Sequence, residues 1–290
     1  MSKKICMLVA HHPFLDARIF KKEAKSLQKK GYKVTMIVPS KNGRLFDIDG
    51  KPFKKQFIRK VFKHEGIKIV SYDYASSRNA LNTVLSNEKV WESCGFTNPL
   101  TQLAIKEDAD IYHAHEYLSL FAGVGVKRLM KKQGKDIKLI YDSHELTPDP
   151  FHPKYSAVKR ELQKSLLIML KEVDYIITVS NSIKSWYLSH MPQLPIEVIY
   201  NSPPLSKVFQ PKNYGSRTLT VGYEGNIVGN KGNQKKIFGI SEICLQKMDF
   251  RFKIIGGSRY GQTITVPKHL DTIIKQVGWV DYFAIPKHMK

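Results

Sequence analysis

The chain is poor in cysteine and has no long apolar run. Its three cysteines, Cys6, Cys94 and Cys244, are scattered through 290 residues without metal-ligand spacing. That excludes a disulfide framework or a cysteine-built zinc module and points to reduced thiols in a cytosolic protein. No uninterrupted apolar stretch reaches the roughly 18 residues that a membrane-spanning helix needs. Met1-Ser2-Lys3-Lys4 leads into only six apolar residues, Ile5 to Ala10, too few for a secretory signal. Acidic residues are scarce as well: 25 Asp plus Glu against 47 Lys plus Arg leave a formal charge of +22. Such a charge attracts polyanions, whether phosphorylated substrates or an anionic membrane face. The lysines are dispersed, and no RNA-binding aromatic signature, zinc spacing or heptad array accompanies them, which speaks against a specific nucleic-acid partner. The loop after the first strand holds no Gly-x-Gly-x-x-Gly, so the usual dinucleotide fingerprint is missing.

What is present is an alternation of short apolar runs and amphipathic stretches, the pattern of an α/β protein with parallel sheets. Ile5 to Ala10 reads as a first strand. It runs through His11 to Arg18 into a helix whose Phe20, Ala24 and Leu27 share a face, and Gly31 ends that helix before a strand over Tyr32 to Val38. The stretch that packing alone does not explain is Ala109-Asp110-Ile111-Tyr112-His113-Ala114-His115-Glu116, an apolar run ending in two histidines and a carboxylate. A helix should follow, with Gly123 and Gly125 approached closely. Lys138 to Glu145 echoes the arrangement, with His144-Glu145 just beyond a strand. Ligands of open parallel sheets sit outside the carboxyl ends of the strands, so both tips should face one crevice.

Elsewhere the pattern is plainer. From Asn42 to Gly66, Lys51, Lys54, Lys55, Arg59, Lys60 and Lys63 alternate with Phe53, Phe57, Ile58, Val61 and Phe62. This predicts a helix, either solvated and covering the sheet or lying on anionic lipid. A strand is expected over Ile67 to Tyr72, and helix over Ala80 to Ala104 with a break near Gly95, Asn98 and Pro99. Ser156 to Lys171 should be helical, Tyr175 to Val179 a strand, and Ser180 the N-cap of the next helix. After a strand at Ile196 to Tyr200, the prolines 203 and 204 open a linker. The pattern then restarts with strands over Leu219 to Tyr223, Phe252 to Ile255 and Ile273 to Val277, and helices over Gln234 to Lys247 and from about Phe283. Gly225 to Gly232 forms a glycine-rich turn before a helix, a plausible phosphate cradle with Lys231 as its cation, although it lacks the P-loop order.

Taken together, these segments resemble the GT-B glycosyltransferases of retaining family 4. The anchors are His-His-Pro-Phe-Leu-Asp-Ala-Arg-Ile-Phe at 11–20, Asp-Ile-Tyr-His-Ala-His-Glu at 110–116, Tyr-Asp-Ser-His-Glu at 141–145, Val-Ser-Asn-Ser at 179–182, Ile-Tyr-Asn-Ser at 199–202, Gly-Asn-Ile-Val-Gly-Asn-Lys-Gly at 225–232 and Ile-Ile-Gly-Gly at 254–257. The resemblance implies two Rossmann-like domains, 1–205 holding the acceptor and 206–290 holding a nucleotide-diphosphate-sugar donor. His115 would stand near the transferred sugar, with His113 supporting it. Asp16 and Arg18 would either hold acceptor hydroxyls or form a salt bridge at the helix start. Gly225, Asn226, Lys231, Gly256 and Val280 would meet the donor, with Lys231 at the diphosphate and Val280 at the base. No metal and no bound cofactor are implied. The acceptor would be a sugar, a lipid-linked sugar or a polymer in cell-surface synthesis, and the enzyme cytoplasmic with peripheral contact to an anionic membrane.

Two departures from the family pattern stand out. Asn226 occupies a position where the family usually carries arginine, and the chain stops before the segment with Glu, seven residues and another Glu. The second domain therefore reads as incomplete, and weak or absent transfer is expected from this chain alone. A silent, lysine-rich protein that binds membrane or cell-wall polymer is the alternative. A metal-dependent Asp-x-Asp enzyme is set aside, because Asp108-Ala109-Asp110 precedes its strand instead of ending it.

Overall fold

The computed structural model describes residues 2–48, 50–73, 95–149, 156–202, 218–227, 233–257, 264–280 and 284–289. The chain divides into two compact units, Met1–Pro203 and Pro204–Lys290. The boundary expected at 205/206 falls outside the described residues, as does most of the helix expected from Ala80.

The first unit is built on an eight-stranded sheet. Its strands are β1 (Lys4–Val9), β2 (Lys33–Ser40), β3 (Val61–His64), β4 (Ile67–Asp73), β5 (Ile111–His115), β6 (Lys138–Ser143), β7 (Tyr175–Thr178) and β8 (Ile196–Val198). They lie in the order β3-β4-β2-β1-β5-β6-β7-β8, all pairs parallel except β3 with β4. The chain winds outward from β1 through β2 to β4, then returns to β5 on the other side of β1. That reversal makes the β1/β5 junction a topological switch point, where a crevice opens at the carboxyl ends.

Both faces of the sheet are covered, as near-continuous apolar strands require. One face packs Leu8, Tyr112, Ala114, Leu139 and Tyr141 under α2 (Pro99–Ile105), α3 (Glu116–Lys132) and α4 (Ser156–Leu170). The other packs Met7, Val9, Met36 and Ile69 against Phe14, Ile19, Phe20 and Ala24. Asn98 starts α2 with a capping box to Thr101, and Pro99 sits in its first turn, so the expected break is where this helix begins. Ser180 caps α5 (Asn181–His190) by accepting from the Ile183 amide. The expected close approaches in α3 are present. A Cβ on Gly125 would stand 2.2 Å from the Phe96 carbonyl oxygen, and one on Gly123 would stand 2.7 Å from Leu139.

The helix expected between Asn42 and Gly66 does not form. The segment holds two isolated bridges, Lys41 with Arg44 and Phe46 with Pro52, and then strand β3. Positive φ at Gly43, Gly50 and Phe57 breaks any helical path. The aromatics gather instead around Phe14, with Phe53, Phe57, Phe62 and His64 all at 4.8–5.9 Å between ring centroids. Among the described residues no helix is long and apolar enough to cross a membrane.

The second unit has three parallel strands, β9 (Leu219–Asn226), β10 (Phe250–Gly257) and β11 (Ile274–Gly278), in the order β11-β10-β9. Helix α6 (Asn233–Leu245), a 3-10 turn over Lys268–Leu270 and the short α7 (Ile285–His288) complete its described part. Phe250, Phe252, Ile254, Ile237, Leu270 and Ile274 form its core.

Candidate active site

Parallel pairing sets Val9, His115 and Asp142 side by side at the ends of β1, β5 and β6. The alternation of side chains along a strand turns His113 and His115 to the same face, toward the helix that follows β1. That helix, α1, opens as a π-helical turn over Ile19–Ala24 and continues as an α-helix over Lys25–Lys29. Its widened first turn, with the Glu23 amide donating to the Arg18 carbonyl at 2.9 Å, places residues five apart on one side. The Arg18 Nε consequently lies 2.8 Å from Glu23 Oε1, and both side chains reach the strand tips.

Arg18 Nη2 lies 2.9 Å from Asp142 Oδ1, and Nη1 donates to the Ile199 carbonyl at 3.2 Å. Asp142 is fully buried. Its Oδ2 faces three imidazoles, with His144 Nε2 at 3.2 Å, His115 Nδ1 at 3.4 Å and His113 Nε2 at 3.8 Å. Glu116 Oε1 sits 3.3 Å from His144 Nδ1 and accepts from the His144 amide at 3.2 Å. Glu116 has φ of 69°, the left-handed region that non-glycine residues avoid, so the turn from β5 into α3 holds this carboxylate at a conformational cost of about 1 kcal/mol or more. The rings form a ladder in the order His113, His115, His144 and His12, with neighbouring centroids 4.3, 5.8 and 5.5 Å apart.

Burial and neighbours set the charge states. Burial, with His115 beside it, lowers the His113 pKa to about 3, and burial lowers His115 against the pull of Asp142. Both rings are neutral at neutral pH. Burial opposes ionisation of Asp142, but the His115 and His144 nitrogens outweigh it and hold the carboxyl well below its ordinary range. Glu23 is pushed up by burial and by Asp142, with Arg18 only partly offsetting them. Burial raises Glu116 to about 7, within reach of proton exchange at neutral pH.

Of the residues expected to act, Arg18 and His115 come together with the unexpected Glu23 and Asp142. His115 forms the floor of the cluster, fully buried, while His144 and His12 stand nearer solvent. Asp16 does not pair with Arg18. Its Oδ1 accepts from the Arg18 and Ile19 amides at 2.8 and 3.0 Å, and Oδ2 lies 3.4 Å from His12 Nδ1. The expected salt bridge at the helix start is thus replaced by a backbone cap, and the Arg18 side chain is free to turn inward. Asp108 and Asp110 lie at the opposite, amino end of β5. Asp108 is tied to Lys135, and Asp110 accepts the Lys4 amide at 2.7 Å.

In the second unit, Gly225 and Gly256 meet at the carboxyl ends of β9 and β10. A Cβ on Gly256 would stand 2.3 Å from the Gly225 carbonyl oxygen, so close strand packing already requires that glycine. Asn226 ends β9, and Val280 is half-buried just after β11. Lys231 lies outside the described residues.

The sequence profile of Glycosyltransferase Family 4 matches residues 17–206, the part of the chain that carries this cluster. The chain belongs to glycosyltransferase family 4. Solved structures agree on a GT-B fold. Sucrose-phosphate synthase (tll1590) from Thermosynechococcus elongatus aligns with a TM-score of 0.59 at 14% identity, over 98% of this chain and 73% of that one. The lipopolysaccharide outer core galactosyltransferase WaaB gives 0.59 at 12% identity, over 99% and 71%. TarM gives 0.56 at 10% identity, over 97% and 78%. No match was found among curated proteins. This glycosyltransferase therefore shares a fold with those structures.

Proposed function

We propose that this family 4 glycosyltransferase transfers a sugar from a nucleotide-diphosphate sugar to a sugar, lipid-linked or polymer acceptor, with retention of anomeric configuration, in the synthesis of a cell-surface polysaccharide or glycoconjugate. The observation that carries the reading is the cluster of buried Arg18, His115, Glu116 and Asp142 with half-buried Glu23 and His144 at the β1/β5 switch point. Sheet packing does not call for six polar side chains there, and burying them is costly unless they are used.

In this reading the layer nearest solvent, His12, His144 and Glu116, supplies acceptors and donors for sugar hydroxyls. His115 beneath it fixes the position of the ring that meets the transferred sugar. Arg18 stabilises the carboxylates that orient these imidazoles, and Asp16 keeps the entry to α1 in place. On the donor side, Lys231 and the amino end of α6 would stabilise charge on the departing diphosphate. Gly225, Asn226, Gly256 and Val280 would offer backbone and short side chains to the nucleotide.

The test is incubation of the 290-residue chain with a panel of nucleotide-diphosphate sugars and acceptors, followed by proton NMR of any product. The expected result is at most a weak yield of product, carrying the donor's anomeric configuration, and a rise in the chain's melting temperature with its donor. An inverted product overturns the retaining mechanism, and neither product nor a thermal shift with any donor overturns the reading as a whole.

A further inference from the structure

We propose that the stretch from Lys51 to His64 docks this protein on an anionic lipid bilayer, with Ile58 entering the interface and the neighbouring cations meeting the headgroups. Its composition is one-sided: Lys51, Lys54, Lys55, Arg59, Lys60 and Lys63 fall within it, and it holds no Asp or Glu. All six cations are exposed, and Lys54, Lys55, Arg59, Lys60 and Lys63 pair with no carboxylate among the described residues. Between them Ile58 is 76% exposed, more than any other large apolar side chain among the described residues, and Val61 is 53% exposed. At a membrane surface apolar burial and attraction to acidic headgroups add, and stable anchoring takes two such signals. A soluble polyanion would use the cations and leave Ile58 and Val61 in water, so the bilayer is the partner that both features fit.

The stretch is held in place from beneath. Phe53, Phe57 and Phe62 turn inward onto fully buried Phe14, with ring centroids at 5.9, 4.8 and 5.9 Å. Phe57 also stacks on Phe62 at 5.3 Å. The backbone takes φ of 60° at Phe57, and this turn separates the inward ring from the outward Ile58 that follows it. Beyond Ile58, the Ser71 amide donates to the Lys60 carbonyl at 2.8 Å and ties the chain to β4. Both sides of the apolar tip are thus anchored, and docking has little backbone left to order.

Position gives the docking a use. Val61 opposes Val70 in the antiparallel pair, so residues 58–60 lie beside the carboxyl end of β4, the end at which the crevice opens. Strand β3 is three strands from β1, on the order of 15 Å. Phe14, the anchor of the three rings, belongs to the same β1–α1 loop as His12 and Asp16. A chain docked through this face would hold its crevice close to the headgroup layer. The inference rests on the exposed face and not on the transfer reaction.

The test is co-sedimentation of the full chain with lipid vesicles in the absence of any donor. Vesicles with about one-third phosphatidylglycerol in phosphatidylcholine should bind it, pure phosphatidylcholine at least about 10-fold less, and binding should fade as salt rises from about 0.1 to 0.5 M. Lys54→Ala with Lys55→Ala should weaken binding about 25-fold, roughly fivefold for each cation near the surface. Ile58→Ser should weaken it about 10-fold. Lys131→Ala with Lys132→Ala removes the same charge from the far end of α3, about 25 Å from the crevice end and beyond a Debye length, and should change binding less than about 2-fold. Circular dichroism confirms that each variant is folded. Absence of vesicle binding, equal losses from the two lysine pairs, or binding indifferent to Ile58→Ser overturns the proposal. Capture of soluble polyphosphate without partition to vesicles overturns it too and assigns the cations to an anionic polymer. Transfer by a chain that binds no vesicles refutes only the docking, and vesicle binding by a chain that neither transfers nor binds a donor refutes only the function.

Discussion

The Arg18→Met substitution tests how the strand tips are held together. The methionine keeps most of the aliphatic stem but removes a guanidinium that is 7% exposed and bridges Glu23, Asp142 and the Ile199 carbonyl. Asp142 is then a fully buried carboxylate without its guanidinium partner, and Glu23 loses the same cation. Breaking a buried ion pair by deleting one partner costs about 3–5 kcal/mol. For a unit of this size each kcal/mol moves the melting temperature by about 2–4 °C, so the midpoint should fall by roughly 6–20 °C. The assay is thermal and urea denaturation of the whole chain, followed by circular dichroism. Arg18→Met with Asp142→Asn removes both charges and should cost less than the sum of the single changes by about 1–3 kcal/mol. A loss under about 1 kcal/mol for Arg18→Met, or additive losses in the double variant, would refute the idea that this pair organises the site.

Three further outcomes follow from other parts of the molecule. Gly256→Ala should destabilise the second unit by about 2 kcal/mol or more, because its Cβ would meet the Gly225 oxygen at 2.3 Å and φ is 115°; an unchanged urea midpoint would contradict that contact. Asp174 is opposed by burial but held low by the Leu139 amide and Lys127, so its stabilisation is present above about pH 3.9, the ordinary aspartate value, and is lost as pH falls further. Asp174→Asn should lower stability at pH 7 and flatten its decline in acid, and an unaltered pH profile would count against the pairing. Burial pushes the Cys6 thiol far above its usual range, so a thiol reagent should label half-buried Cys244 in the native protein and Cys6 only on unfolding.

Much of this architecture is legible in the sequence because its strands are short, apolar and separated by capped helices. The run from Asp110 to Glu116 shows its strand, its polar tip and its helix without further help, and Tyr141 to Glu145 repeats it. Register is not legible. Nothing in the separate segments says that His115 and Asp142 are neighbours on adjacent strands, so Asp142 is overshadowed by the His144-Glu145 pair beside it. Glu23 is missed for another reason: it reads as one acid in a lysine-rich helix, and only the π-helical turn brings it onto the side of Arg18. Its position beside buried Ala24 is the signal that was available. The segment before Gly66 misleads because its aromatics mimic a helical stripe while gathering around Phe14 from a loop and a strand, a long-range preference that local periodicity does not carry.

The central claim is that sugar transfer occurs at the cluster on the ends of β1, β5 and β6. Its most direct measurement is donor turnover by the wild-type chain beside His115→Ala and Glu116→Gln, each verified as folded. The account predicts at most weak turnover of a nucleotide-diphosphate sugar by the wild type, with a further loss of about 100-fold or more in both variants, the scale on which removed positioning and acid–base groups act. Turnover that survives both substitutions unchanged would contradict it.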